Sequence, residues 1–261
     1  MEEDIALIKK AEQGDAEAQF NLGYTYLTGN GTSQNYEKAS EWFVKAAEQG
    51  FDQAQFSLGI CYSYGLGVTK DYEKAFEWYL KAAIQGHPGA QNELGICYSK
   101  GLGISKDFDK AFEWYTKAAG QNDRDAQLSL GICYYNGEGT NQDFGKAFEL
   151  FKKAAEQGNS DAQYYFGCCY YNGKGITQDF VKAVEWFTKS AEQGNYKPLN
   201  LLGHCYRKGK GVSQDLDQAI YWFTKAAEQG DPNAQKMIEY CRGIKNGYQA
   251  IDNLGKLLGG E

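Results

Sequence analysis

Cysteine recurs at positions 61, 97, 133, 169, 205 and 241, always 36 residues apart. Tyrosine keeps the same register at 26, 62, 98, 134, 170 and 206. Tryptophan does so at 42, 78, 114, 186 and 222, with Leu150 in the one slot it misses. A fixed period of this size is the signature of a solenoid, in which each unit buries its apolar face only against its neighbours. It places six units over residues 18–233 without insertion or deletion. Function then falls to a surface rather than to a closed pocket.

Each unit reads as two helices. In the first unit Ala18, Leu22, Thr25 and Tyr26 follow the i, i+4, i+7, i+8 spacing of one helical face. Asp15 stands where an N-cap belongs, and Asp123, Asn159, Asn195 and Asp231 are its equivalents. Pro88 and Pro232 follow the cap, where a missing N–H costs nothing. Pro198 lies later in the first turn of its helix and is expected to be tolerated there. The second helix starts at Asn35, or at Asp71, Asp107, Asp143, Asp179 and Asp215 in later units. Its apolar face is Tyr36, Ala39, Trp42, Phe43, Ala46 and Ala47, and a buried tryptophan ladder is expected from it.

A glycine pair closes every first helix, from Gly29/Gly31 through Gly209/Gly211. Phosphate-cradling glycine loops follow a strand and open a helix, so a left-handed C-cap and turn is the better reading.

Residues 1–17 are expected to form a capping helix, with Ala6 and Lys10 on its solvated side. Residues 234–261 begin a degenerate seventh unit, with Ile251, Leu254 and Leu258 forming a short closing helix.

The net charge of −7, with no Lys/Arg run, argues against nucleic acid as a partner. No stretch approaches the 18 apolar residues of a membrane span, and the acidic start is followed by no apolar h-region. A soluble cytoplasmic protein is therefore expected. One ladder cysteine per unit fits that compartment, because stacked repeats about 10 Å apart exceed the roughly 7 Å that a disulfide spans. The ladder thiols are expected to be buried and reduced.

The pattern Ala18-x3-Leu22-Gly23-x2-Tyr26-x2-Gly29-x-Gly31, then Lys38-Ala39-x2-Trp42-Phe43-x-Lys45-Ala46-Ala47-x2-Gly50, resembles the Sel-one-like repeat. That family is a 36-residue relative of the 34-residue tetratricopeptide repeat. The resemblance covers all six units, roughly four fifths of the chain. It implies an all-α fold, a right-handed α/α superhelix (solenoid), and an adaptor or scaffold function. Leu150, Asn122 and Pro198-Leu199 depart from the pattern, in place of tryptophan, glycine and Ala-Gln.

By the same resemblance the first helix of each unit lines a concave groove. Phe20, Tyr24, Phe56, Ile60 and Tyr64 give it an apolar, aromatic start, followed by Ile96, Ile132 and Tyr135. Tyr164 and Tyr171 come next, and His204, Arg207 and Lys208 make a polar, basic end. Aromatic anchors among Asn and Ser suit a protein-binding surface. The alternative is that these rings pack mainly on neighbouring repeats. The expected partner is a peptide or helix of another protein, apolar with an acidic end, bound by a monomer.

Chemistry has little to stand on. Cys168, Cys169, His204 and Cys205 are the one cluster resembling a metal or thiol site, but their side chains diverge from adjacent helices. No cofactor and no metal are expected, and the chain reads as no enzyme. The competing reading is a thiol-dependent or hydrolytic enzyme like the cysteine-rich secreted relatives, whose paired cysteines this chain lacks.

Overall fold

A computed structural model describes the backbone of residues 2–258 and the side chains of 5–248, 250 and 251. The chain divides into two compact units, Met1–Gln142 and Asp143–Glu261. All fourteen elements among the described residues are α-helices, and no strand is present among them.

In the first unit, α1 (Glu2–Glu12) precedes α2 (Ala16–Thr28), α3 (Tyr36–Glu48), α4 (Asp52–Tyr64) and α5 (Tyr72–Ile84). Next come α6 (Pro88–Lys100), α7 (Phe108–Gly120) and α8 (Arg124–Asn136). Helices pack in chain order, as an all-α repeat solenoid requires. Asp15 caps α2 by accepting the Ala18 N–H at 2.7 Å, and Asn35 caps α3 through the Lys38 N–H at 2.9 Å. Gly29, Gly65, Gly101 and Gly137 end the first helices in the left-handed conformation. From the second repeat on, the second glycine of each pair lets two repeats approach closely. A Cβ on Gly67 would lie 1.9 Å from the Tyr36 carbonyl oxygen of the preceding repeat, and one on Gly103 2.1 Å from that of Tyr72. Asn122 replaces a closing glycine at φ 65, which its short polar side chain tolerates.

The second unit holds α9 (Phe144–Glu156), α10 (Ser160–Asn172), α11 (Phe180–Glu192), α12 (Leu199–Lys208), α13 (Leu216–Glu228) and α14 (Ala234–Leu258). Gly175 and Gly211 repeat the close approach, against the Phe144 and Phe180 carbonyls.

The buried rings of the second helices are Phe43, Tyr79 and Tyr115 in the first unit and Phe151, Phe187 and Phe223 in the second. Each ring presses on a glycine of the partner helix wherever both lie in one unit: Phe43 on Gly23, Tyr79 on Gly59, Phe187 on Gly167. The tryptophans sit one residue earlier, about 100° round the helix. Trp42, Trp78, Trp114 and Trp186 are therefore half-buried, which corrects the expected buried ladder, and only Trp222 reaches the core. Lysine ammonium groups cover their open faces, 3.8 Å from the Trp42 ring and 4.0 Å from Trp114. All six ladder cysteines are buried and unpaired.

Buried glutamines brace the repeats from the side. Gln19 Nε2 donates to the Ala11 carbonyl at 3.1 Å while its Oε1 accepts from Gln49 Nε2 at 2.8 Å. Gln55/Gln85 and Gln91/Gln121 repeat this pair in the first unit, and Gln163/Gln193 in the second.

Two further expectations need correction. Pro198 occupies the position whose N–H meets the cap side chain in four of the other repeats, as Ala162 donates to Asn159 at 2.8 Å. Proline has no N–H and disfavours helix at the residue before it. Asn195 therefore accepts from Lys197 N–H instead, and α12 starts only at Leu199. At the C-terminus a single 25-residue helix, α14, replaces the expected seventh unit with a separate closing helix. Ile251 is 68% exposed on it, and the side chains of Leu254 and Leu258 lie outside the described residues. At the other end α1 buries Ala11 and exposes Ala6 and Lys10.

Candidate functional site

The thirteen expected contact residues all fall on first helices, and the structure sorts them by depth. In the first unit Phe20 is wedged between Phe43 and Phe51, at centroid distances of 5.8 and 5.4 Å. Phe56 lies 6.0 Å from Tyr79 and stacks on His87 at 4.5 Å. Ile60, Ile96, Ile132 and Tyr135 are half-buried. Tyr24 and Tyr64 stand out into solvent at 53% and 71% exposure. The phenylalanines thus pack on their own and the adjoining repeats, while the two tyrosines offer free ring surface.

Polar groups lie among these rings. The Tyr115 hydroxyl meets Ser99 Oγ at 3.2 Å, and Ser129 Oγ donates to Asn92 Oδ1 at 3.2 Å. The Tyr79 hydroxyl is buried with no closed hydrogen bond, although Ser63 stands nearby. Glu93 is half-buried, and desolvation lifts its carboxyl above the usual range, partly countered by Lys100. Tyrosine for phenylalanine at 79 and 115 is visible in the sequence, but the serines facing them are not predictable from spacing.

In the second unit Tyr164 and Tyr171 both lean on Phe187, at 6.1 Å each. Lys210 sits 5.3 Å from the Tyr171 ring. His204 packs edge-on against Phe223 at 5.1 Å. Burial lowers its pKa, and the Arg207 and Lys208 charges lower it further, so the positive charge here belongs to Arg207, Lys208 and Lys210. Arg207 lies over the Tyr240 ring of α14 at 5.5 Å, and Lys208 is exposed.

The thiols are not activated. Burial pushes Cys61 and Cys205 up to about 11 and Cys97, Cys133 and Cys169 up to about 12. Cys168 is half-buried, and its thiol too is raised to about 11. Among the described residues no group of three or more His, Cys, Asp or Glu side chains is arranged to hold a metal ion. No described helix is long and apolar enough to cross a membrane.

A family model described as Sel1 repeat matches residues 16–51, 52–87, 88–123, 124–159, 160–195 and 199–231. The last match begins at Leu199, where α12 begins. Among solved structures, the chain is 39% identical to a protective antigen of uropathogenic Escherichia coli strains displaying an SLR fold. That likeness has a TM-score of 0.81 and covers 92% of this chain and 52% of the other. The chain thus spans about half the length of that protein. A Sel1 repeat protein from Oxalobacter formigenes is 35% identical, with a TM-score of 0.76, covering 82% of this chain and 86% of the other. A search of curated proteins gave no match.

Proposed function

Because the chain belongs to the Sel1 repeat family, we propose that it is a non-catalytic adaptor holding a peptide or helix of another protein on its first-helix faces. Proteins of this fold are generally protein-interaction scaffolds. The observation that carries the finer reading is the exposure of Tyr24 and Tyr64 beside half-buried Phe20, Phe56 and Ile60. Large aromatic rings with free surface above a packed apolar floor have the composition of binding hot spots. On this reading the first unit takes an apolar segment. The Arg207/Lys208 surface of the second unit takes an acidic or polar one.

A thiol-dependent activity is disfavoured because every described cysteine thiol is raised by burial, and a protonated thiol is a poor nucleophile. Seven free thiols suit a reducing compartment, and the proposal places the monomeric chain in the cytoplasm. The test is affinity capture of a partner by the intact chain, followed by Tyr24→Ala and Tyr64→Ala. Both substitutions should weaken capture without lowering the melting temperature, whereas Glu41→Ala on a second helix should not. Equal capture by all three variants sinks the groove reading.

A further inference from the structure

Repeat six departs from its neighbours at the start of its first helix, and two clefts of the second unit flank that point. In repeats one, two, three and five a buried glutamine near the start of the first helix pairs with the glutamine closing the second. Gln163, for example, donates to the Ala155 carbonyl and accepts from Gln193 Nε2 at 2.7 Å. Repeat six has Leu199 in place of the first of these. Its closing glutamine, Gln229, makes no side-chain hydrogen bond among the described residues. One side of Gln229 opens into a cleft of about 270 Å³ lined by Tyr196, Lys197, Asn200, Ala226, Gly230 and Asp231. The other side opens into one of about 160 Å³ against Ala191, Gly194, Asn195 and Leu199.

The charged groups around the larger cleft are already engaged. Lys197 Nζ pairs with Asp161 at 2.9 Å. Asp231 accepts from Asn200 Nδ2 through one oxygen and from the Asn233 and Ala234 N–H groups through the other. What stays unmatched is neutral. The Gln229 amide lacks an acceptor, and Asn200 Oδ1 is buried with no donor. A buried acceptor without a donor costs free energy that a ligand bearing an N–H recovers. The complementary ligand therefore carries an acceptor and an N–H donor on one small neutral group. A primary carboxamide does so, and it is the group the array itself uses at this place in the other repeats.

We propose that the repeat-six cleft is a recognition site for a glutamine side chain of a partner polypeptide, which pairs with the Gln229 amide that the buried Leu199 leaves without a partner. The site is independent of the aromatic face of the first unit. A partner can use either alone.

The test is titration of the intact, isotope-labelled chain with acetyl-Gly-Gln-Gly-N-methylamide, following the side-chain amide signals of Gln229 and Asn200. The Glu and Met tripeptides with the same caps serve as controls for charge and for main-chain amides. Saturable shifts are expected with the glutamine peptide, at least about fivefold weaker with either control, as expected for losing one net hydrogen bond. Leu199→Gln, which puts a glutamine back into the ladder, and Gln229→Leu, at an exposed position and read at Asn200, should each abolish the response. Equal shifts with all three peptides, or an unchanged response in both variants, overturns the proposal. Since the readout sits on Gln229 and Asn200, its failure is distinct from failure of the groove reading, which is scored by Tyr24→Ala and Tyr64→Ala on a captured partner.

Discussion

The imidazole of His87 stacks on the Phe56 ring at a centroid distance of 4.5 Å while its Nδ1 accepts the Ala90 N–H at 3.1 Å. Where other first helices are capped by Asp15, Asp123 or Asn159, α6 is capped by a neutral ring that is also part of the aromatic face. An imidazolium has a proton on Nδ1 and cannot accept that bond.

Stability should therefore depend on pH near neutrality. Burial lowers the His87 pKa, an effect that Asp52 and Asp123 partly oppose. The unfolded chain then takes up a proton before the folded one does. The stabilisation is whole above the unfolded value of about 6.5 and is lost as pH falls through it towards the lower folded value. Melts at pH 7.5 and pH 5 should differ more for the native chain than for His87→Asp, which keeps a cap acceptor without this titration. Identical pH dependence in the two chains would mean that the cap bond is absent in solution.

Core deletions should rank by depth rather than by ring size. Phe187→Ala removes a fully buried ring and should cost about 3–5 kcal/mol. Trp114→Ala removes a larger ring that is only half-buried under Lys117, and roughly half that loss is expected. Denaturant midpoints at constant m-value measure both. A larger loss at Trp114 would put the tryptophan ladder back in the core.

Two glycines with similar backbone angles should respond differently to alanine. Gly31 and Gly67 have φ of 79 and 69, but a Cβ meets nothing within 4 Å at Gly31 and the Tyr36 carbonyl at Gly67. Gly31→Ala should cost only the left-handed penalty of about 1–2 kcal/mol. Gly67→Ala must also push two repeats apart and should exceed about 3 kcal/mol, a size reserved for overpacking and strain. Thermal melts of the two variants decide between them.

Thiol labelling should follow exposure. Cys168 is half-buried and the six ladder cysteines are buried, so Cys168 should be modified first. With its thiol raised to about 11, labelling at pH 7 should still be slow and should accelerate as pH rises. Mass spectrometry finding Cys97 or Cys133 modified before Cys168 would contradict the helix register.

Much of this architecture was legible in the sequence because caps and glycines act locally. Asp71, Asp107 and Asp179 announce their helices, and Gly65 and Gly101 end theirs, whatever the surrounding packing. What escaped depends on neighbours. Trp42 and Phe43 are adjacent and both apolar, and only the packed structure shows which faces Gly23. Nothing in the sequence marks Gln19 and Gln55 as buried, since burial of an amide becomes acceptable only once its bonding partners are in place. Proline in a first turn is usually harmless, and the harm at Pro198 came from the particular N–H it lacks. For the thirteen contact residues the sequence supplied the helix, while the depth of Phe56 against Tyr64 came from the structure.

That difference in depth decides how the partner-binding surface should be probed. Phe56 supports Tyr79 and His87, so its removal mixes binding with folding, whereas Tyr64 is 71% exposed and can be cut back without disturbing the repeat. If an apolar segment covers Tyr64, burying such a side chain is worth roughly 1.5–3 kcal/mol, and Tyr64→Ala should weaken binding by about tenfold or more. That loss should persist across ionic strength, because apolar burial is not screened. Lys208 is exposed and charged, so Lys208→Ala should act mainly on the association rate. Its effect should fade as salt rises from about 0.05 M to 0.5 M and the screening length falls below about 5 Å. Kinetics of both variants against a captured partner, at low and high salt, separate the two contributions. Parallel salt dependence in the two variants would mean that Tyr64 and Lys208 do not meet the apolar and acidic segments assigned to them.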